Sequence, residues 1–268
     1  MLRFLLKKNF CDGWENIINI IIPNLLVIFS VAAFYALGAY VVQAAGTQFL
    51  FLSFLIWIAG AGVCMIFMTA FSEVAARIAN FESAGLRDFF KAIPAAAKDG
   101  FLYGALMALI IMAAVIGLPS YFAMGTAVGL ALSIVLFCFN VILILSLQWF
   151  IPLRALLHND FKKCVKKCFV IFFDNTAFSV FMFFYNLVLF VFSVVFLFMM
   201  PLGAGLVLSS VNALRLRLYK YDWLDQHPEL KGVKTRRNIP WSALIAEDEE
   251  SLGPRNFKSF FMPFKSDE

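Results

Sequence analysis

Three long stretches of this chain contain no Asp, Glu, Lys or Arg. They cover residues 16–72, 100–153 and 175–214, which are 57, 54 and 40 residues long. About 20 helical residues cross the ~30 Å hydrocarbon layer of a bilayer, so each stretch is long enough for two crossings. The sequence therefore predicts an all-α, polytopic helical membrane bundle of about six transmembrane helices in three hairpins.

The composition excludes the main alternatives to a membrane protein. The chain is 62% apolar and 15% charged, against about 45–50% and 25% in soluble domains. A water-soluble globule of this size would not bury so much apolar surface, and a disordered chain would not contain it. The five cysteines are odd in number and predict free thiols, which excludes a disulfide scaffold.

Turn-forming residues divide each charge-free stretch near residues 43–48, 117–125 and 201–205. These divisions predict a transmembrane domain over residues 1–216 and a cytoplasmic tail over 217–268. A single kinked helix over 175–214 is the alternative to the last pair of spans. The predicted spans lie near residues 17–42, 49–72, 101–118, 126–150, 176–198 and 202–216.

The distribution of Lys and Arg predicts the orientation. All 22 lie in segments 1–15, 73–99, 153–174 and 215–268, and the three turns between paired spans contain none. Since basic loops remain on the cytoplasmic side, we expect an inner-membrane protein with both termini in the cytoplasm. The first apolar stretch is too long for a signal peptide, so we expect the N-terminus to be retained.

Two segments between spans have the apolar spacing of amphipathic helices, over residues 86–93 and 161–169. Such helices lie in the membrane surface with their basic side toward lipid phosphates, and each cation contributes about 1 kcal/mol on an anionic leaflet. Anionic lipids are therefore predicted partners, and no nucleic-acid partner is predicted. The predicted membrane-surface basic residues are Arg87, Lys91, Lys162, Lys163, Lys166 and Lys167.

The three thirds of the chain share an outline. In each, a basic or amphipathic stretch ends in an acid, and a span follows; the acids are Glu15, Asp99 and Asp174. This pattern is typical of a threefold repeat, but also of any chain with several spans, and both interpretations stay open.

In the tail, the acidic run 247–250 predicts a solvated face. Segment 255–265 mixes aromatic and basic residues and is expected to contact lipid or the protein itself.

The polar side chains predicted to lie within the spans are neutral. Asn24, Asn140 and Asn186 are candidates for a polar pocket, and hydrogen bonding between helices is the alternative. Ion-coupled transporters usually place ionisable residues in their spans, which this chain does not. The pairs Gly100–Gly104 and Gly125–Gly129 have the spacing that permits close helix packing.

We find no catalytic or nucleotide-binding motif in the sequence and predict neither enzymatic activity nor a cofactor. His158, Cys164 and Cys168 would supply three metal ligands. Structural zinc sites usually have four ligands at tighter spacing, so no metal site is predicted.

Three stretches carry a family resemblance: residues 86–93 (LRDFFKAI), 152–157 (PLRALL) and 212–217 (NALRLR). On these stretches the chain resembles the YesL-like family of bacterial integral membrane proteins over most of residues 1–220. The resemblance implies a multi-pass inner-membrane protein associated with genes for carbohydrate uptake by ABC transporters. It carries over no functional residues.

The resemblance, taken with the absence of catalytic motifs, implies a non-enzymatic protein that is accessory to carbohydrate uptake or regulates it. One alternative is an ABC-permease-like transport subunit that engages a cytoplasmic ATPase through residues 84–97. A less favoured alternative is a membrane enzyme acting on lipids, whose candidate acids are Glu73, Glu82, Asp88, Asp99 and Asp174. Expected partners are anionic lipids together with ABC transporter components or a second copy of the chain.

Overall fold

The computed structural model describes residues 1–227 and 239–253, which form helices and turns with no strand among them. The predicted all-α class is confirmed, and the predicted contact segment 255–265 lies outside the described residues. The helices are α1 Leu2–Glu15, α2 Ile17–Ala45, α3 Leu50–Ala79, α4 Leu86–Met112, α5 Leu118–Phe122, α6 Ala127–Leu147, α7 Phe150–Leu157, α8 Phe161–Asp174, α9 Thr176–Val195, α10 Leu202–Gln226, α11 Trp241–Leu244 and α12 Ala246–Leu252.

Five helical segments are long and apolar enough to cross a membrane. Many of their apolar side chains face outward, and Phe51 and Val195 are each 72% exposed. Soluble monomers rarely expose large apolar patches, whereas lipid hydrocarbon would cover such a surface. The chain is therefore a multi-pass membrane protein. The five segments are Ile17–Ala45, Thr47–Ala79, Leu86–Phe122, Ala127–Leu157 and Thr176–Val195.

The first predicted amphipathic segment is not a separate helix. It forms the start of α4, which continues through a π-helical turn, Ala113–Gly117, into α5. Pro94 removes one backbone hydrogen bond, but Phe89 and Ala96, on either side of it, are both buried. Because residues on both sides of the proline are packed, the predicted amphipathic segment and the span that follows it stay in one continuous helix, α4.

The first and last thirds instead contain a break at an asparagine. The Asn16 side-chain amide donates to the Asp12 carbonyl at 3.0 Å, where α1 ends. The Asn175 amide donates to the Ile171 carbonyl at 3.3 Å, where α8 ends. Two of the three thirds thus share a structural device, and the middle third does not.

Small residues bring α3 and α4 into close backbone contact. A methyl group at Gly100 would lie 2.7 Å from the Ile66 Cα, and one at Gly104 would lie 2.7 Å from the Gly62 Cα. The close packing predicted for this glycine pair is confirmed. Gly125 has a different role, because its φ of +62° places it in the turn before α6.

The tightly packed core lies toward one end of the bundle. It includes Phe71 of α3, Phe150 of α7 and Leu214 of α10. We call this the charged end, because Glu73, Asp99 and Arg154 also lie there. The far end holds the turns at residues 46–49 and 123–126. The core and the ionised side chains therefore lie together, away from the apolar ends of the longest helices.

Residues 175–214 form parts of two helices, α9 and α10, and not one kinked helix. Helix α10 is not among the five apolar segments. Its first half is mostly buried against neighbouring helices, including polar Ser209 and Asn212. Because protein surrounds these groups, α10 accommodates polar residues that a lipid-facing helix would not. The sixth transmembrane span predicted from the sequence is therefore not confirmed.

The third hairpin, α9–α10, reaches less far than the sequence predicts. Gly203, near the start of α10, packs against Met68, which lies 18 residues after Leu50 at the start of α3. At 1.5 Å per residue, α10 begins about 27 Å short of the beginning of α3. The Asn24 side chain fixes the turn here: it donates to the Met199 carbonyl at 2.9 Å and accepts from the Ala204 N–H at 2.8 Å.

The described part of the tail packs back onto the charged end. The Asp248 carboxylate is buried and forms a bidentate pair with Arg215, at 2.6 and 3.0 Å. Ile245 and Leu252 are also buried. The acidic run 247–250 is therefore not entirely solvated, since one of its members anchors α12.

Candidate functional site

Arg154 joins three helices at the charged end. Its Nη1 donates to Glu73 on α3 and its Nε to Asp99 on α4, each at 2.9 Å. Its Nη2 donates to the Ala95 carbonyl, also at 2.9 Å. The side chain is only 12% exposed. A guanidinium presents several donors in a rigid plane, which suits this simultaneous recognition of two carboxylates and a carbonyl.

The local fold positions Arg154. Helix α6 ends before Gln148 and Trp149, and both side chains donate to Ser179 on α9, at 3.0 and 2.9 Å. These bonds fix the start of α7, which carries the arginine. His158 then ends α7 in the left-handed conformation, with φ 46°. A short, anchored helix therefore presents Arg154 to α3 and α4.

Beside this network lies a cavity of 1140 Å³ between the first turns of α4 and the junction of α7 with α8. Its lining contains six Lys or Arg residues, four Asp or Glu residues and His158. The charged lining residues are Glu73, Arg77, Asp88, Lys91, Lys98, Asp99, Arg154, Asp160, Lys162 and Lys163.

All six predicted membrane-surface cations are exposed. They fall into two groups, according to whether they line the cavity. Lys91, Lys162 and Lys163 line the cavity. Arg87, Lys166 and Lys167 lie outside that lining, on the surfaces of α4 and α8.

The three predicted pocket asparagines are not brought together. Asn24 holds the α9–α10 turn. Asn186 donates to Ser210 at 3.0 Å and accepts from Ser209 at 2.6 Å, which joins α9 to α10. The Asn140 amide donates to the Leu136 carbonyl of its own helix at 2.9 Å. Each therefore has a separate set of contacts, and two of the three hold neighbouring segments together.

A second ion pair lies deeper at the charged end. Lys8 is 1% exposed and pairs with Asp12 at 3.1 Å, while Asn212 donates to Asp12 at 2.9 Å. The Lys8 ammonium also lies 3.6 Å from the centre of the Phe81 ring. Burial lowers the pKa of Lys8 and raises the pKa of Asp12, because it disfavours both charged forms.

The last third repeats the pairing of an acid with a cation. Asp174 accepts from the Lys220 ammonium at 2.7 Å and from the Tyr221 hydroxyl at 2.8 Å. Burial and the neighbouring Asp174 carboxylate raise the pKa of Tyr221. The acid at the end of α8 thereby holds the second half of α10 against the junction between α8 and α9.

His158, Cys164 and Cys168 do not form a metal-ligand cluster. Both cysteines are buried, whereas His158 is exposed. Burial raises the pKa of both thiols, which disfavours the thiolate that binds metals. Within residues 1–227 and 239–253 the structure contains no group of three or more side chains suited to holding a metal ion.

The network centred on Arg154 was not predicted from the sequence, although a signal for it exists. Glu73 follows the first charge-free stretch, and Asp99 and Arg154 flank the second. Charged residues at the ends of apolar helices lie at similar depths in the membrane, where oppositely charged side chains form ion pairs. The boundaries of the stretches thus marked these three residues as neighbours.

Comparison with known proteins adds no assignment, because the chain matches no protein-family model, no curated protein and no solved structure. The resemblance to the YesL-like family stays a prediction.

Proposed function

We propose that the protein is a non-enzymatic, accessory or regulatory component of carbohydrate uptake, located in the inner membrane with its charged end in the cytoplasm. The observation that carries this proposal is the concentration of exposed cations and the charged cavity at one end of an otherwise apolar bundle. Such an arrangement gives one side of the membrane a polar docking surface. The family resemblance supports the link to carbohydrate uptake.

The internal hydrogen bonds also support a scaffold role. Asn24 and Asn186 each have their polar atoms engaged by neighbouring backbone or hydroxyl groups. Groups that are satisfied in this way stabilise helix contacts. They are not free to bind a solute that passes through the bundle.

Purification of the tagged full chain from bacterial membranes in a mild detergent tests the proposal, with mass spectrometry of all attached proteins and lipids. We expect the subunits of an ABC-type carbohydrate transporter, including that transporter's own permease, to remain attached. An unrelated multi-pass protein with the same tag provides the control for adventitious capture.

Other outcomes favour the alternatives. A stoichiometric ATPase without another permease would make this chain the permease itself. Chemical conversion of a retained lipid by the purified chain, with no protein partner, would favour a lipid-modifying enzyme, whereas a lipid that stays unmodified would not. If no transporter component is enriched over the control, the proposed accessory role is wrong.

A further inference from the structure

The cavity at the charged end carries positive charge that the described chain does not neutralise. Lys91, Lys98 and Lys162 form no ion pair with any residue in 1–227 or 239–253. Lys163 pairs with Asp160 at 3.7 Å, and these two side chains are 70% and 85% exposed. Exposed pairs of this kind are weak, so Lys163 remains available to another anion.

Three of the four acids that line the cavity are held in ion pairs, and the fourth is the exposed Asp160, whose pair with Lys163 is weak. Glu73 and Asp99 accept from Arg154. Asp88 pairs with Arg77 at 3.0 Å. Since these carboxylates are engaged, the cavity is suited to an anion and not to a metal cation. Each nitrogen of Arg154 already donates one hydrogen bond, and two carboxylates offset its charge, so we treat it as part of the wall and the lysines as the groups that face a ligand.

We propose that this cavity binds a phosphate ester through Lys91, Lys98, Lys162 and Lys163. Lysine ammonium groups are compact charges with several donors and are frequent ligands of phosphate. The ligand is either a phospholipid head group or a soluble phosphate ester. This proposal depends on the proposed function in one respect only, which is that the charged end, and therefore the ligand, lies on the cytoplasmic side of the membrane.

The size and the uncharged walls of the cavity fit an ester better than a bare ion. Its 1140 Å³ exceeds the space that one phosphate needs, and Ala92, Leu102 and Phe161 provide apolar wall for an attached organic group.

Two doubly substituted variants provide a matched test. Lys162→Gln/Lys163→Gln removes two charges from the cavity. Lys166→Gln/Lys167→Gln removes two charges from the same exposed helix outside the cavity. Both pairs change the net charge equally, so a general electrostatic attraction weakens equally in the two variants. Lys91→Gln, on the opposite wall, provides an independent second variant.

The full chain is purified in a neutral detergent without phosphate, and its melting temperature is recorded for each variant. Binding of glycerol 3-phosphate is measured by calorimetry, with glycerol as the control. Binding of phosphatidylglycerol is measured by native mass spectrometry, with phosphatidylcholine as the control. Tighter binding of the lipid assigns a head-group site, and binding of glycerol 3-phosphate alone assigns a soluble ester.

We expect the cavity variant and Lys91→Gln to weaken binding of the preferred probe at least about tenfold, which corresponds to the loss of about 1.4 kcal/mol of interaction. The Lys166→Gln/Lys167→Gln variant should remain within about twofold of the unmodified protein. The site assignment is overturned if neither probe binds, or if both double variants weaken binding equally. Because these measurements need neither orientation nor a protein partner, their failure is distinguishable from failure of the accessory role.

Discussion

At the scale of single residues, the Lys8–Asp12 pair is the group whose loss should be most costly. We expect Lys8→Met to lower the free energy of unfolding by about 3 kcal/mol, because it leaves Asp12 buried without its cation. Adding Asp12→Leu should recover much of the loss, since the second change removes the unpaired charge. Thermal unfolding in detergent checks both expectations.

The effect of Lys8→Met should depend on pH. Burial raises the pKa of Asp12 in the folded protein, and loss of the Lys8 charge raises that pKa further. A raised carboxyl pKa contributes stability below the unfolded pKa of about 4 and loses it as pH rises through the folded pKa. The variant should therefore be closer in melting temperature to the unmodified protein at pH 5 than at pH 8. An equal difference at both pH values would contradict this reasoning.

Arg154 provides a second test at the residue scale. Arg154→Gln should destabilise the fold by about 2 kcal/mol, because it removes charge-assisted hydrogen bonds to Glu73 and Asp99. Arg154→Lys keeps the charge but not the planar arrangement of donors and should recover only part of the loss. Melting temperatures are compared with Lys98→Gln, which lines the same cavity without an ion pair in the described chain. An Arg154→Gln variant as stable as Lys98→Gln would show that the network contributes nothing.

At the scale of elements, the pattern of apolar residues predicted where the helices lie but not where each helix is interrupted or ends. The charge-free stretches located α2, α3 and α6 because hydrocarbon accepts only long apolar helices. The continuity of α4 through Pro94 depends on packing between distant residues, which periodicity does not contain. The partners of Asn24 and Asp248 likewise lie far away in the chain, so their roles depend on the assembled fold.

The α3–α4 contact gives a prediction at this scale. Gly104→Ala should cost about 1–3 kcal/mol, because the added methyl group would meet the backbone of Ala61 and Gly62 and push the helices apart. Gly13→Ala, within helix α1, is the control: the nearest atom to its added methyl group, in the Met200 side chain, lies at an ordinary contact distance of 3.9 Å. It should not lower stability, because alanine is more favourable than glycine inside a helix by about 1 kcal/mol. If the two substitutions lower the melting temperature equally, close packing at Gly104 is not what stabilises this pair of helices.

At the scale of the whole molecule, the prediction that all basic segments lie on one side of the membrane is compatible with a third hairpin, α9–α10, that does not cross completely. A hairpin that enters the membrane from one side and returns leaves the tail on the same side as a hairpin that crosses completely. The distribution of charge therefore predicts the side of each basic segment but not the depth of α9–α10. That depth is set by Asn24 and by the packing of Gly203 on Met68.

Labelling of single cysteines in a cysteine-free variant measures both orientation and depth. With a membrane-impermeant thiol reagent on spheroplasts, Thr47→Cys at the far end should be labelled from outside. Lys166→Cys at the charged end should be labelled only after permeabilisation. Leu197→Cys, whose side chain is 78% exposed in the α9–α10 turn, should resist labelling from outside because lipid surrounds a turn that stops about 27 Å short of the start of α3. Rapid outside labelling of Leu197→Cys would mean that the third hairpin crosses completely, and outside labelling of Lys166→Cys would reverse the proposed orientation.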